Sequence, residues 1–377
     1  MRTVRDIRKL EGIPVLVRAA LNAEAENGKV TNDFRLRAAL PTIEYLRERH
    51  AKVILAGHIT GNGTETLRPM YEAMKAWIPG LVFCDVPSGP KARAMARELS
   101  PGDVLMLENL RRDKGEEGNS KEFSASLADL ADIFVQDAFD VCHRKHASVV
   151  GVPEILPSYA GLLLSHEVEE LKKALKPKQP SMAIIGGAKF STKQPVLNKL
   201  LKIYGRVFVG GALANDFMQA TGRPVGRSLV SNADKATLKA LLQDRKLLLP
   251  LDYVVAPVGK GRAEGRVADI QDVQPDEAIL DNGPKTIAML AEHAKSMKTI
   301  LWNGPLGNYE HGFVEGTQGL ARVIAGSHAH SIVGGGDTVA AIESLGLSQG
   351  FSFISTGGGA MLDYLAYGTL PGIAALR

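Results

Sequence analysis

Glycine clusters and basic side chains are the residues of this sequence best placed to do chemistry. Glycines close several apolar runs, as in Gly186-Gly187-Ala188-Lys189 and Gly334-Gly335-Gly336-Asp337-Thr338. Backbone N–H groups at a helix start donate to anionic oxygens, and glycine lets the chain approach them closely. Neither stretch matches the dinucleotide fingerprint or the Walker pattern, so each alone reads as readily as a packing turn. Asp337 is more pointed, because a carboxylate beside a phosphate loop suits a Mg²⁺ site. Lys189 and Lys193 are spaced by four, which places both ammonium groups on the first turns of a helix facing a strand-end crevice. Cations there oppose the helix dipole, and a bound polyanion offsets that cost. Spacing alone also allows a solvated helix face.

A second set is basic and lies in the first half: Arg18, Arg35, His58, Arg111, His143, Arg144 and His146. Several follow apolar runs that read as buried strands, so they converge on one edge of a sheet. A small anion is the economical partner. No aromatic residues interleave with these charges, and the net charge is only +4, which argues against nucleic acid. The histidines lack the H-E-x-x-H spacing of a metal site, and no G-x-S-x-G elbow marks a serine nucleophile. An anion site on one half and a nucleotide-phosphate site on the other is the arrangement for phosphoryl transfer on domain closure.

These side chains need a scaffold, and the apolar runs provide one. They are Pro14–Ala19, Lys52–Gly57, Leu81–Cys84, Val104–Glu108 and Ile133–Asp137, then Ala183–Gly187, Arg206–Gly211, Thr299–Gly304, Ser331–Gly336 and Phe351–Gly359. Continuous apolar runs are expected of parallel strands covered on both faces. Helical spacing separates them: Leu36, Leu40 and Ile43 follow the plausible caps Thr31 and Asn32, and Leu197, Leu200 and Leu201 follow Gly186-Gly187. The 377 residues suit two such domains. Leu164, Val168, Leu171 and Leu175 predict one joining helix, which Lys176-Pro-Lys-Gln-Pro180 stops. The expected class is α/β, with two doubly wound, Rossmann-like parallel-sheet domains, residues 1–160 and from 178 onward, joined by an interdomain helix over 161–177. Two cysteines, Cys84 and Cys142, no apolar leader and no long apolar run predict a soluble protein of the reducing cytoplasm, without membrane contact.

From Thr3 to Leu376 the motifs resemble, in order, the phosphoglycerate kinase family. The resemblance rests on Val15-Leu-Val-Arg18, Arg35-Leu-Arg-Ala-Ala-Leu-Pro41, Leu107-Glu-Asn-Leu-Arg111, Asp137-Ala-Phe139, His143-Arg144 and His146-Ala-Ser148. It continues through Gly186-Gly-Ala-Lys189, Lys193, Gly210-Gly-Ala-Leu-Ala-Asn215, Gly283-Pro-Lys-Thr286, Trp302-Asn-Gly-Pro305, Gly334-Gly-Gly-Asp-Thr338 and Ser355-Thr-Gly-Gly-Gly359. The resemblance implies a bilobal monomer with Mg-ATP or Mg-ADP on a C-terminal lobe, 178–363, and an acid on the N-terminal lobe. It also implies that residues 364–377 return to the first lobe. Carried over by motif, Arg35 clamps the carboxylate and the moving phosphoryl, while Lys193, with Lys189 close by, stabilises the charge. Arg18, Asn22, His58, Arg111 and Arg144 bind the acid. Asp337 holds Mg²⁺, Gly211, Asn303, Gly335, Gly336 and Thr338 serve the nucleotide, and Glu310 is the ribose ligand. A carboxylate is already a nucleophile, so positioning and charge stabilisation supply the rate.

Three departures fall on the acid side. The family's acid-aromatic-Asn reads Ala20-Leu21-Asn22 here, its His-Leu-Gly-Arg reads His58-Ile-Thr-Gly61, and its Gly-Thr reads Asp140-Val141. Two lost hydrogen bonds to charge, at about 1.5–3 kcal/mol each, weaken 3-phosphoglycerate by about two to four powers of ten. Asp140 is expected to repel the phosphate or tie up Arg144, and Arg112 to compensate in part. Three readings stay open: a kinase acting on 3-phosphoglycerate, a kinase for a less anionic or phosphonate acid, and a non-catalytic nucleotide-binding regulator.

Overall fold

A computed structural model of the chain describes residues 1–231 and 233–376. All ten apolar runs become strands, and the reason is visible in the first sheet. Val15, Val17, Val53, Leu55, Val104, Met106 and Val135 bury one face, while Leu16, Ile54, Leu105, Leu107 and Phe134 bury the other. Alternate residues of a strand point to opposite faces, so two covered faces require an unbroken apolar run.

The chain forms two compact units. One holds residues 1–169 together with 367–376, and the other is Glu170–Ala366. In the first, six parallel strands run in the order Val82–Cys84, Val104–Leu107, Lys52–Ala56, Pro14–Arg18, Ile133–Gln136, Ser158–Ala160. The order reverses direction between Pro14–Arg18 and Ile133–Gln136. Ligands of open α/β sheets sit outside the carboxyl ends of strands at such a switch. The loops after Arg18 and after Gln136 therefore hold the expected crevice.

The second unit has its own six-stranded parallel sheet: Leu247–Leu248, Arg206–Val209, Ser181–Ile185, Thr299–Asn303, His330–Gly334, Phe353–Ile354. Its switch point falls between Ser181–Ile185 and Thr299–Asn303, each fully buried. A three-stranded antiparallel sheet, Arg266–Asp269, Asp252–Pro257, Glu277–Asn282, was not expected from the sequence. Helix Leu162–Ala174 begins in the first unit and ends in the second. The helix after Asn32 spans Phe34–Arg47 with Asp33 at its N-cap, so Thr31 and Asn32 lie just outside the cap expected of them.

Candidate functional site

At the switch point of the second unit the backbone itself makes the floor. Gly186 N donates to Asn303 O at 2.8 Å and Gly187 N to Pro305 O at 3.0 Å, which brings two strand-end turns together. A Cβ on Gly186 would strike the Gly304 and Pro305 carbonyls, and one on Gly211 would sit 2.9 Å from Gly187 N. Gly187 and Gly211 also take φ of +95° and +63°, where other residues are strained. Above this floor lies a cavity of about 430 Å³.

Four of the residues assigned to the nucleotide line that cavity: Lys193, Gly211, Glu310 and Asp337. Lys193 is half-buried on helix Phe190–Ile203, with its ammonium about the Gly187 turn, and burial lowers its pKa. Gly335, at φ +111°, caps helix Gly336–Ser344, whose first turn carries Asp337 and Thr338. The Thr338 hydroxyl is buried without a hydrogen-bond partner, and a Cβ on Gly336 would meet open space. These features suit phosphate oxygens at a helix start. Asn303 instead turns its amide to Gly358 O at 3.3 Å and lies outside the lining. Lys189 is exposed at the N-cap of its helix and does not line the cavity. The expectation that both lysines face the crevice therefore holds for Lys193 alone, because the helix starts only at Phe190 and leaves Lys189 in extended backbone.

The antiparallel sheet supplies lining the sequence reading missed. Leu280, Asp281 and Asn282 end one of its strands in the cavity, opposite Leu229 and Leu306. Asp281 accepts from Asn282 N at 2.8 Å and Gly316 N at 2.9 Å, yet burial pushes its carboxyl up to about 7. The turn Gly283-Pro284 that follows was the available signal.

In the first unit the crevice is basic. Arg18 is wholly buried at its strand end. Its Nε donates to Ser148 Oγ at 2.8 Å, one terminal nitrogen to Ala19 O at 3.1 Å, and the other to His58 Nδ1 at 3.0 Å. Burial lowers the Arg18 pKa, with the charges of Glu116 and Asp140 opposing that shift. Burial first, then the charges of Arg18, Arg111, His146 and Arg35, holds His58 well below its usual value. Those residues thus share one field. Arg35 donates to Asn22 O at 2.8 Å, and Asn22 Oδ1 accepts from Thr60 N at 2.9 Å. Arg144 is exposed, and no contact joins its side chain to the others among the described residues.

Two expectations about charge are corrected here. Asp140 forms no ion pair with Arg144 among the described residues; its charge acts on Arg18, and its Oδ1 is buried without a hydrogen-bond partner. Arg112 is not a free extra cation, because it pairs at 3.0 Å with the buried Glu108 carboxylate. Ala20 lies in a small apolar cluster with Ala138, Val141 and Val149. A Cβ on Gly61 would fall on the Glu65 carboxylate.

Known proteins share this construction. The family model for phosphoglycerate kinase matches residues 4–367. The phosphoglycerate kinase of Thermomicrobium roseum is 42% identical, with 100% of this chain and 99% of the relative covered. That of Maricaulis maris is also 42% identical, covering 100% and 98%. Among solved structures, the phosphoglycerate kinase of Coxiella burnetii superposes with a TM-score of 0.83 at 36% identity, covering 99% and 98%. The phosphoglycerate kinase of Pyrococcus horikoshii gives 0.90 at 29% identity, covering 100% and 98%. A paired set of switch-point crevices, one basic and one glycine-floored, on a chain matched over almost its whole length has one reading: the protein belongs to the phosphoglycerate kinase family.

Proposed function

We propose that this kinase transfers a phosphoryl group between ATP or ADP and the carboxylate of 3-phosphoglycerate. A carboxylate oxygen attacks the γ-phosphorus, the bond to the β-bridging oxygen breaks, and ADP leaves with that electron pair. An acyl phosphate forms, and the reverse reaction makes ATP. The gathering of Lys193, Gly211, Glu310 and Asp337 about one cavity is the observation that supports this best. The proposal assigns the acid to the basic crevice of the first unit, so transfer requires the two units to close and bring the reactants together.

Arg35 is the proposed clamp on the reacting carboxylate, and Lys193 the cation that meets the moving group from the nucleotide side. A half-desolvated ammonium stabilises developing charge more than a hydrated one. Glu310, exposed on the short turn Tyr309–His311, is the proposed ribose ligand. Gly335, Gly336 and Thr338 are the proposed phosphate cradle. Among the described residues no three His, Cys, Asp or Glu groups cluster as metal ligands. A single carboxylate, Asp337, suits a Mg²⁺ that takes its other ligands from phosphates and water. When bound, the ion neutralises phosphate charge. The same reading makes the protein a cytoplasmic monomer, as its composition and the resemblance lead one to expect.

One observation favours a second reading, a different small acid: Ala20 is sealed in apolar contacts where a carboxylate was expected. A coupled assay of ATP consumption against a panel of carboxylates, with 3-phosphoglycerate included, decides. Turnover of 3-phosphoglycerate at ordinary substrate levels is the expected result. Faster turnover of a less anionic or phosphonate acid moves the assignment to that acid, and no turnover on any acid refutes both.

A further inference from the structure

The histidine of the basic crevice is joined to a buried carboxylate by a chain of hydrogen bonds. Glu116 is completely buried. Its Oε1 accepts from Ser148 Oγ at 2.6 Å and its Oε2 from Ser148 N at 3.0 Å. A hydroxyl has one proton. Ser148 gives that proton to Glu116, so its oxygen presents only lone pairs to Arg18, whose Nε donates to it at 2.8 Å. This bond, with that to Ala19 O, fixes the plane of the guanidinium. The plane aims one terminal N–H at His58 Nδ1, 3.0 Å away.

Arginine has donors and no acceptor, so His58 Nδ1 must be the unprotonated nitrogen. In a neutral ring the proton then sits on Nε2. The ring is held neutral by its surroundings, because an imidazolium would add a fourth positive charge beside Arg18, Arg111 and Arg35. The charged and titratable groups that bear on this relay are thus Arg18, Arg35, Arg111 and His146, opposed by Glu116 and Asp140. His146 also lies 3.9 Å from Glu116 Oε1.

We infer that Glu116 and Ser148 are positioning residues, which act through Arg18 to hold His58 as its Nε2–H tautomer and so present a neutral donor to an anionic oxygen of the acid substrate. The inference rests on the proposed binding of the acid to this crevice. It goes beyond that reading in naming which nitrogen donates and what sets it. A neutral donor has one advantage over an imidazolium: its hydrogen bond does not switch off as pH rises through neutrality.

The test uses the full-length protein with ¹⁵N-labelled histidine. In the parent, the His58 ring nitrogens should show an unprotonated Nδ1 and a protonated Nε2 across pH 6 to 8. Ser148→Ala removes the acceptor for Arg18 Nε, and the ring should become a mixture of tautomers. The KM for the acid should then rise by about tenfold or more, the worth of one misdirected hydrogen bond to charge. The KM for the nucleotide should not move, and Ser148→Thr should restore both the spectrum and the acid KM. Glu116→Gln should shift the tautomer in the same sense. A protonated Nδ1 in the parent, an unchanged spectrum in Ser148→Ala, or a tautomer shift that leaves the acid KM untouched overturns the inference. The spectrum requires no turnover, so a failed acid assignment is told apart from a failed relay.

Discussion

Asp137 gives the sharpest test of how burial sets charge in this fold. It follows the strand Ile133–Gln136 and is completely buried. One oxygen accepts from Leu164 N at 3.2 Å, at the start of helix Leu162–Ala174, and the other has no partner among the described residues. Burial outweighs the donors of Thr42, Leu164 and Leu163 and raises its pKa to about 7. A free aspartate titrates near 3.9. Between those values the unfolded chain has lost a proton that the folded chain keeps, so stability falls as pH rises from about 4 to about 7 and is level above. A shift of about three units at about 1.36 kcal/mol each sets an upper figure of about 4 kcal/mol. Asp137→Asn keeps the shape and the acceptor but has no charge to desolvate. At pH 8 the variant should therefore be more stable by about 2–4 kcal/mol, and the gap should close towards pH 4. Urea unfolding followed through Trp77, the one tryptophan of the first unit, measures this if Trp302 of the second is Phe in both proteins. Because all other groups titrate alike in the two proteins, the difference isolates Asp137. A gap that ignores pH, or widens in acid, refutes the reasoning.

Lys193→Met should lower kcat by about 10²–10³-fold, the usual scale for one preorganised charge on a transferring group, while the Kd for ADP shifts little; equal losses in both, by stopped-flow and calorimetry, contradict its role. Gly335→Ala places a Cβ 3.2 Å from Gly304 N and 3.3 Å from Thr338 Oγ1 at φ +111°. The strain is about 1–3 kcal/mol, and the thermal shift given by Mg-ADP should shrink accordingly; an undiminished shift removes this turn from the nucleotide site. On the acid side, Ala20→Asp with Gly61→Arg should lower the KM for 3-phosphoglycerate only when Glu65→Ala clears the carboxylate from the new side chain's path. A gain of about tenfold or more is expected from the three together, and none would sink the idea of a retuned pocket.

The strands were legible because a parallel strand buried on both faces leaves an unbroken apolar run. Ser158–Ala160 and Leu247–Leu248 were missed, since two or three residues make no pattern. The antiparallel sheet was hidden for another reason: Arg266–Asp269 is mostly exposed and charged, so it resembles a loop. The cavity residues it supplies were lost with it. Glycine-rich turns and Lys193 were readable from spacing and chemistry. Arg18 was read as a ligand, but its engagement with Ser148 joins positions 130 residues apart, which no local pattern reveals. Arg112 and Asp140 were misjudged for the same reason, because their effect depends on the partners the fold brings near.

The glycine floor of the second unit has a consequence for chemical intervention. Gly186, Gly211 and Gly304 meet backbone atoms wherever a side chain would begin. A saturation-mutagenesis map should therefore show these positions as intolerant even under conditions that do not select for catalysis. An inhibitor that rests on this surface touches main-chain atoms, which codon changes cannot remove, so resistance would have to arise at the rim, where Leu229 and Glu310 stand exposed.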